Sequence, residues 1–270
     1  MSPRRRGWSW LVALLLAGAA AAQQAQEKTE EEPVANPARP TVATPATLTP
    51  VGYLQFETGA LYGNDSPGVV SQLSINEVIK YSFARWVEVM VSAEPLAHTS
   101  GGQDENALGD VDLGVQAVLH HGEGANPTVA LSYLGRVYGG QAPDLDIASF
   151  KNRALLLVSG DIKGFHYDTN YLFDELAENG VRRAAFGQTL SVSHALRGKF
   201  GVSGEVWHFT QPFLRSNAVA TLWVLNYNVS RMLVLDCGFD HGMTSTSTQW
   251  EAFAGFTYLL PRRLPLRWGH

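Results

Sequence analysis

The stretch "ALGDVDLGVQAVLHH", residues 107–121, alternates between apolar and polar residues over most of its length. From Asp110 to Leu119 the odd positions are apolar and the even positions are polar, with Val118 as the exception. Successive side chains of a β-strand point to opposite faces, so this period predicts a strand with one apolar and one polar face. The apolar face needs either a protein core or a lipid bilayer, and the rest of the chain must decide between them.

Segments with the same alternation follow one another from residue 51 to residue 260. They number about twelve and run for about ten residues each, which is the length of a tilted membrane-spanning strand. Strands of soluble proteins usually have only about 5–6 residues. Turn-forming stretches such as "GNDSPG" and "HHGEGANP" separate the segments, and no helical period competes. The pattern predicts an all-β fold, an antiparallel up-and-down transmembrane β-barrel of about 12 strands, with a soluble β-sandwich as the alternative.

Aromatic and charged residues favour the barrel over the sandwich. Most aromatic residues fall near segment ends, where the girdles of a membrane barrel lie. Charged residues share the phase opposite to the apolar ones, and a wet lumen can hold them, whereas a dry core cannot hold them unpaired. We therefore expect these side chains to line the lumen: Lys80, Glu88, Asp110, Asp112, Asp161, Lys163, Asp168, Glu205 and Asp236. They would either set ion selectivity or fill a narrow barrel as structural ion pairs.

The first 50 residues differ from the rest in composition. Residues 1–22 combine three arginines with a short apolar run and an alanine-rich end, which predicts a signal peptide. Residues 23–50 are rich in Pro and Glu, which predicts a disordered periplasmic leader, with a partner-docking peptide as the alternative. The barrel would then occupy residues 51–260 and a C-terminal tail residues 261–270. A signal peptide followed by a barrel predicts the bacterial outer membrane as the location.

Charge and cysteine content exclude several classes of protein. The formal net charge is −5 and no basic patch is present, so we expect no nucleic-acid partner. Cys237 is the only cysteine, which leaves no disulfide framework for an exported domain. The sequence has no phosphate loop, dinucleotide fingerprint or metal-ligand spacing, so we expect no cofactor and no metal. The expected partners are outer-membrane lipid, the barrel-assembly machinery and a small-molecule solute.

A membrane-embedded hydrolase would need an activated serine with a nearby base. Ser191, Ser193 and His194 lie close together in "LSVSHAL". Ser193 and His194 are adjacent in a strand and therefore point to opposite faces, which prevents a hydrogen bond between them. The stretch "GVSGE" does not have the spacing of the G-x-S-x-G elbow. We therefore expect that the chain is not an enzyme.

Several stretches resemble a known family of bacterial outer-membrane barrels, which carries the label "meta-pathway of phenol degradation". "ALGDVDLGVQAVL" is similar to the family's glycine-aspartate strand, and residues 152–173 resemble its next hairpin. "LRGKFGVSGEVW" resembles its Gly-Glu strand, and "RMLVLDCGFDHGMT" with "WEAFAGFTYLL" resembles its last hairpin. The resemblance spans roughly residues 50–260. It implies an outer-membrane barrel of the transport type.

The leading functional expectation is a channel or transporter for the passage or binding of small, apolar or aromatic molecules. A structural or assembly barrel with a plugged lumen and no flux is the alternative, and a membrane-embedded hydrolase is the third possibility. All three share the barrel and differ in what the lumen holds, so the lumen is the place to compare them.

Overall fold

The computed structural model of the chain describes residues 32–101, 105–143, 145 and 150–264. The predicted signal peptide, the first part of the predicted leader and the end of the predicted tail lie outside the described residues. The barrel and the residues that contact it belong to one compact unit, Val34–His270. The described residues include no helix that is long and apolar enough to cross a membrane.

The described residues form thirteen β-strands in one antiparallel sheet. The strands are β1 (Leu54–Ser66), β2 (Val69–Ala84), β3 (Val87–Ser100), β4 (Glu105–Ala107), β5 (Val111–His120), β6 (Thr128–Tyr138), β7 (Phe150–Ile162), β8 (Phe165–Glu178), β9 (Val181–Ala195), β10 (Phe200–Gln211), β11 (Ser216–Ser230), β12 (Leu233–Gly242) and β13 (Trp250–Leu259). Strand β4 has 3 residues, whereas the others have 10 to 16, as the alternating segments predicted.

The sheet closes on itself. Strand β1 pairs with both β2 and β13, and the pairings of β3 with β2 and with β5 complete the circle. Twelve strands therefore form a closed barrel, and β4 adds a short edge beside β3. Closure gives the strand backbone its hydrogen-bond partners, which allows strands to cross lipid. The predicted antiparallel transmembrane barrel is confirmed.

Successive residues of each strand face lipid and lumen in turn. In β5, Leu113 and Val115 are exposed on the outer face, whereas Asp112 and Gln116 are buried inside. Outward positions of other strands are occupied by Ile79, Val89, Leu156, Tyr171 and Leu233. The apolar face of the opening stretch therefore faces lipid, as the alternation predicted.

The two ends of the barrel can be told apart by the chain termini. Strand β1 begins and β13 ends at one end, which we call the terminal end, and the β1–β2 turn lies at the opposite, far end. Outward aromatic residues include Tyr81 and Tyr258 near the terminal end, and Tyr62 and Trp250 near the far end. Such bands mark the two interfaces of a membrane barrel.

The second half of the predicted leader is ordered and lies inside the barrel. Residues 34–50, which we call the inner segment, enter the lumen at the terminal end, turn back near mid-height and return to the start of β1. Ala43 and Ala46 are 0% exposed, and Thr49 is 2% exposed. The sequence predicted disorder because the segment has few apolar residues of its own. Polar side chains of the barrel wall, distant in sequence, provide the contacts that order it.

Candidate functional site: the lumen and its inner segment

The wall holds the inner segment through side chains. Eight backbone N–H groups of the segment donate hydrogen bonds to wall side chains, and these groups belong to Asn36, Ala38, Arg39, Val42, Ala43, Thr44, Ala46 and Thr49. Four further residues of the segment are prolines, which have no N–H to satisfy. A buried donor without a partner costs about 1–3 kcal/mol. Wall oxygens and prolines together therefore make burial of this irregular backbone possible.

Glu57 of β1 holds the entering limb of the inner segment. Its Oε2 accepts hydrogen bonds from the backbone N–H groups of Ala38 at 3.1 Å and Arg39 at 3.0 Å. Its Oε1 lies 2.6 Å from Nζ of Lys80, which neutralises the carboxylate. Gln55, two residues earlier on the same face, accepts from the N–H of Asn36 at 2.8 Å. The inward positions of β1 therefore bind the first turn of the segment.

The mid-height turn of the inner segment binds Glu205 of β10. Oε2 of Glu205 accepts from the N–H of Val42 at 3.0 Å, and Oε1 accepts from the N–H of Ala43 at 2.8 Å. Asn170 of β8 makes a two-sided contact with the next residue, Thr44, through its amide oxygen at 2.6 Å and its amide nitrogen at 2.9 Å. Three consecutive peptide groups are thus fixed by two wall side chains.

The returning limb binds β7 and β3. The Ser159 hydroxyl accepts from the N–H of Ala46 at 2.7 Å and donates to Asp168 at 2.5 Å. Glu88 accepts from the N–H of Thr49 at 2.8 Å, and it also accepts from the hydroxyl groups of Thr49 and Ser82. Each limb of the segment is therefore anchored by at least one carboxylate of the wall.

Arg39 fastens the inner segment to β12, two strands from β1, through its side chain. Its guanidinium donates to the two carboxylate oxygens of Asp236 at 3.2 and 3.3 Å. The guanidinium lies against Gly59 and Gly255, which are directly paired between β1 and β13, and a Cβ atom at Gly59 would overlap it. This pair of glycines therefore leaves the space in which the arginine side chain lies.

One side of the lumen is filled by apolar side chains. Ala46 of the inner segment belongs to a buried cluster, with Val42 and Leu48 packed against it. The wall contributes Val118, Ala130, Leu155, Leu157, Leu172, Trp207, Phe209, Ala218 and Ala220, all from strands β5 to β11. On this side the segment is thus held by apolar contacts as well as by hydrogen bonds to β7, β8 and β10.

Two cavities adjoin the inner segment. The terminal-end cavity has a volume of about 720 Å³ and is lined in part by Ser191, Ser193, Ser203 and Asn226. The far-end cavity has a volume of about 380 Å³ and contacts Arg39 of the segment. Both volumes are in the range of small-molecule pockets. The inner segment lies against both cavities, so it restricts the route through the lumen.

The structure places eight of the nine predicted lumen residues in three groups. Glu88, Glu205 and Asp236 hold the inner segment, and Lys80 neutralises Glu57, which also holds it. Asp110 and Asp112 both approach Arg136 of β6.

Asp161 and Asp168 flank His166 at the terminal end, and Asp161 is largely exposed. Lys163 lies in the β7–β8 turn with a φ of 52° and is exposed, so it sits at the rim and not within the lumen.

Four contributors were missed by the sequence analysis. Arg136 and Arg153 supply the cations for the interior acids, with Arg153 paired to Asp174 at 2.6 Å. Glu57 occupies an inward position of "YLQFETGALY", and the alternation of that segment was sufficient to identify it. Arg39 carried no such signal, because it lies in a segment without strand periodicity.

Neither His166 nor His194 is placed to activate Ser193, the serine that the sequence analysis considered for a hydrolase. Ser193 faces the lumen and pairs in register with His166, whereas His194 is on the outward phase. His166 has Asp161 3.0 Å from Nδ1 and Asp168 3.4 Å from Nε2. Both ring nitrogens thus face carboxylates, which leaves neither of them directed at Ser193 as a base.

Comparison with solved structures supports the fold. The chain is similar to the structure described as "NanC porin structure in rhombohedral crystal form", with 12% identity, a TM-score of 0.55, and coverage of 77% of this chain and 100% of that chain. It is also similar to "KdgM porin", with 11% identity, a TM-score of 0.51, and coverage of 76% and 98%.

Sequence comparisons add no family to this result. No family model matches the chain, and no curated protein matches it. The resemblance to the "meta-pathway of phenol degradation" family therefore stays a prediction. What the comparisons establish is that the chain has the closed-barrel fold of porins.

Proposed function

We propose that this chain is a bacterial outer-membrane channel for small solutes, and that its inner segment is a plug that closes the lumen. One observation carries the proposal: the segment is bound to the wall by individual side chains and not by a β-ladder. Withdrawal of the segment would break these contacts and leave the hydrogen bonds between the strands intact. A segment built into the sheet could not leave in this way.

The lengths of the connections support an orientation. Strands β7 and β8 are joined at the terminal end by two residues, whereas longer connections such as the one between β6 and β7 lie at the far end. Outer-membrane barrels have short periplasmic turns and longer extracellular loops. In the proposed arrangement the terminal end faces the periplasm, and the plug enters from that side.

The far-end cavity supports the predicted class of solute, a small molecule with an apolar or aromatic body. Leu61, Leu222, Trp207 and Phe253 contribute apolar surface to its lining. Polar inward residues line the remainder. A solute of this class would enter by stacking on the aromatic rings once the plug leaves the passage.

The alternative is a structural barrel without flux, and one observation favours it. The apolar cluster around Trp207 and the interior ion pairs fill much of the lumen, as they would in a barrel that only needs to be stable. The two functions differ in whether any state of the protein conducts.

A reversible crosslink between plug and wall tests the proposal. The Ala46 nitrogen lies 2.7 Å from the Ser159 hydroxyl, so the two residues are neighbours, and the variant Ala46→Cys with Ser159→Cys is designed to form a disulfide between plug and wall. Cys237 is replaced by Ser in all variants, because it is exposed. We expect low conductance in planar lipid bilayers when the pair is oxidised, and a rise of at least about tenfold after reduction.

The two single-cysteine variants serve as controls and should not respond to reductant. Equal, high conductance in both redox states would show that the segment does not close the lumen. Absence of conductance in both redox states, and in every other variant that weakens the binding of the plug, would favour the structural barrel. Hydrolysis of an ester probe by the purified protein would instead support a membrane-embedded hydrolase.

A further inference from the structure

The lipid-facing surface of strands β8 to β12 contains a groove with a volume of about 850 Å³, which we call the outer groove. Its side-chain lining comes from outward positions and is mostly apolar: Phe165, Leu190, Val192, His194, Val202, Gly204, Val206, Thr221, Trp223, Leu225, Cys237 and Phe239. The outer wall of a membrane barrel contacts lipid along its apolar band. A concave part of that wall contacts a lipid chain on several sides, which increases the van der Waals contact with it.

Gly204 gives the outer groove its depth. It lies on the outward phase of β10 between Val202 and Val206, and it pairs in register with Val192 of β9 and Trp223 of β11. The six-membered ring of Trp223 lies beside this position, because a Cβ on Gly204 would be 3.2 and 3.4 Å from two ring atoms. The glycine therefore leaves a gap in the row of side chains, and the indole ring forms one wall of it.

The outer groove extends from the terminal end to about mid-height of the barrel. At the terminal end the rings of Phe165 and His194 are in contact, with centroids 4.7 Å apart. From Val202 to Val206 the groove follows β10 for about 13 Å, at ~3.3 Å per residue. Half of the hydrocarbon core of a bilayer is about 15 Å deep. The groove therefore has the length needed to hold an acyl chain of one leaflet.

Two turns at the terminal end place basic residues next to the outer groove. The β7–β8 turn contains Lys163, and the β9–β10 turn contains Arg197 and Lys199; all three are exposed. Nδ1 of His194 donates to the carbonyl oxygen of Gly164 at 2.9 Å, which ties the first turn to β9. The cations of both turns are thus held at the same end of the groove.

These two turns carry positive charge that their surroundings do not neutralise. Lys163 and Arg197 have no ion-pair or hydrogen-bond partner among the described residues. Nζ of Lys199 donates to the neutral carbonyl oxygen of Val229 at 2.7 Å. Neither turn contains an acid, and Asp161, the acid nearest to Lys163 in the sequence, lies on the inward phase of β7. Lys and Arg at a membrane surface attract anionic lipid head groups.

We propose that the outer groove binds one anionic glycerophospholipid from the leaflet at the terminal end. One acyl chain lies in the gap at Gly204, against Trp223. The phosphate accepts hydrogen bonds from Lys163 and Arg197, and the guanidinium fork of the arginine matches two phosphate oxygens. The groove alone would accept a chain of any lipid, and the basic turns supply the preference for an anionic one. This inference goes beyond the channel, because a lipid on the outer wall does not require an open lumen.

Quenching of Trp223 fluorescence by brominated acyl chains tests the proposal, because bromine quenches an indole at contact. The full chain is placed in vesicles of phosphatidylglycerol and phosphatidylethanolamine, in which each lipid in turn carries the bromine at the same mole fraction. The difference between the unaltered chain and Trp223→Phe gives the Trp223 signal. We expect phosphatidylglycerol to contact Trp223 with at least about threefold the relative affinity of phosphatidylethanolamine. Equal affinities, or preference for phosphatidylethanolamine, would overturn the proposal.

Trp250 is the internal control for this measurement. It lies in the aromatic band near the far end, and Trp250→Phe isolates its signal in the same way. We expect the two lipids to quench Trp250 equally. A preference for phosphatidylglycerol at Trp250 as large as that at Trp223 would mean that the anionic lipid surrounds the barrel without a site.

Charge variants test the basic turns. Lys163→Gln combined with Arg197→Gln should lower the preference for phosphatidylglycerol at Trp223 to about one. Arg85→Gln combined with Arg262→Gln removes the same charge from other exposed positions of the terminal end and should leave the preference unchanged. Equal losses in the two double variants would show a general attraction to the rim and would contradict a defined site.

A glycine variant tests the groove itself. Gly204→Leu fills the gap and should also lower the preference at Trp223 to about one. Gly135→Leu is the matched control, because Gly135 lies on the outward phase of β6 and a Cβ there would have no atom closer than 3.6 Å. Circular dichroism verifies that each barrel has formed, and the charge variants decide if Gly204→Leu does not fold. Retention of the preference in both Gly204→Leu and the Lys163/Arg197 variant would place the lipid elsewhere.

Two other occupants of the outer groove would give different results. If a second copy of the chain covers the groove, neither brominated lipid should quench Trp223, and chemical crosslinking in the vesicles should yield dimers. If lipid A occupies it, added lipid A should displace brominated phosphatidylglycerol at a lower concentration than the unbrominated lipid does. Either result would overturn the proposal, and neither depends on whether the lumen conducts.

Discussion

The two sides of the lumen use equivalent inward positions in different ways. On the side of β7 to β10, inward positions carry apolar residues such as Leu157, Leu172 and Trp207, which pack around the inner segment. On the side of β1 and β2, inward positions carry Gln55, Glu57, Gln72, Ser74 and Lys80. Alternation therefore determines which face a residue occupies but not whether that face is wet. Around the inner segment, the apolar cluster fills the space beside β7 to β10, whereas the far-end cavity adjoins β1 and β2.

The largest expected effect is loss of the apolar side. Trp207 is 2% exposed, contacts Phe209 with ring centroids 5.7 Å apart, and donates to Asp240. Trp207→Ala should lower the free energy of unfolding by about 3–5 kcal/mol, because it leaves a cavity beneath the inner segment. Urea unfolding in lipid vesicles, followed by far-ultraviolet circular dichroism, measures the change.

Asn76→Ala on β2 is the matched variant on the polar side. Asn76 lines the far-end cavity, and its truncation should change stability by less than about 0.5 kcal/mol. If both variants lose the same stability, the two sides of the lumen do not differ in packing and the comparison fails.

The next effect tests the hydrogen bonds that cross from wall to plug. Glu205→Leu leaves the N–H groups of Val42 and Ala43 without acceptors, at a cost of about 1–3 kcal/mol each. We expect the plug to leave the lumen more often, so the open probability in planar bilayers should rise. Glu205→Gln keeps one acceptor oxygen and should lie between Glu205→Leu and the unaltered chain. Unchanged conductance in both variants, with a lower stability, would mean that Glu205 has a structural role only.

Strand faces could be predicted from the sequence because they depend on neighbouring residues. Asp112 and Leu113 follow each other in the chain, so one period of two assigns both faces. The position of the inner segment could not be predicted in this way, because Val42 is 163 residues from its partner Glu205. Nothing local in "RPTVATPATLTP" indicates that distant carboxylates will accept its N–H groups. Its prolines indicated disorder, whereas in the lumen they remove donors that would need partners.

The lumen residues were predicted to the extent that they follow the strand period. Lys80, Glu88 and Glu205 lie inside, at the phase that the alternation assigns to them. Lys163 does not, because the strand ends one residue earlier, at Ile162, and a turn places the side chain at the rim.

A smaller effect is expected at the glycine pair beside Arg39. Gly59→Ala would place a methyl group in the space of the guanidinium, which should cost about 1–3 kcal/mol by overpacking. In an Arg39→Ala background the same change should cost much less, because the crowding partner is absent. The interaction energy from this double-mutant cycle, measured by urea unfolding, separates crowding from any effect on β1 itself.

Gly68→Ala is the control for the glycine pair. Gly68 lies in the β1–β2 turn, and a Cβ there would have no atom within 4 Å. Its replacement should leave stability within about 0.5 kcal/mol of the unaltered chain. Equal costs of Gly59→Ala with and without Arg39 would contradict the assignment of this space to the arginine.

The smallest effect concerns the outer surface of the polar side. In β2 the register places Leu73 opposite Tyr62 and Tyr81 opposite Leu54, and Glu77 lies midway between them on the outward phase. Among outward residues of the described strands between the two aromatic bands, Glu77 is the one Asp, Glu, Lys or Arg. Its carboxylate accepts from the hydroxyl of Thr58 on β1. The outer face of the β1–β2 wall, which is otherwise mostly apolar, thus carries one polar pair in the middle of its height.

Replacement of Glu77 should stabilise the barrel. A basic residue at the bilayer midplane of a barrel costs about 2–4 kcal/mol and an acidic one less, so Glu77→Leu should raise the free energy of unfolding by about 1 kcal/mol in lipid vesicles. Glu77→Gln, which keeps the polar contact with Thr58 but removes the charge, should gain part of that amount. The gain should disappear in short-chain detergent micelles, where water reaches the surface more easily. A loss of stability in Glu77→Leu but not in Glu77→Gln would mean that the hydrogen bond with Thr58 outweighs the cost of the charge in lipid. A loss of stability in both variants would mean that the carboxylate has a further partner on the membrane side of the wall.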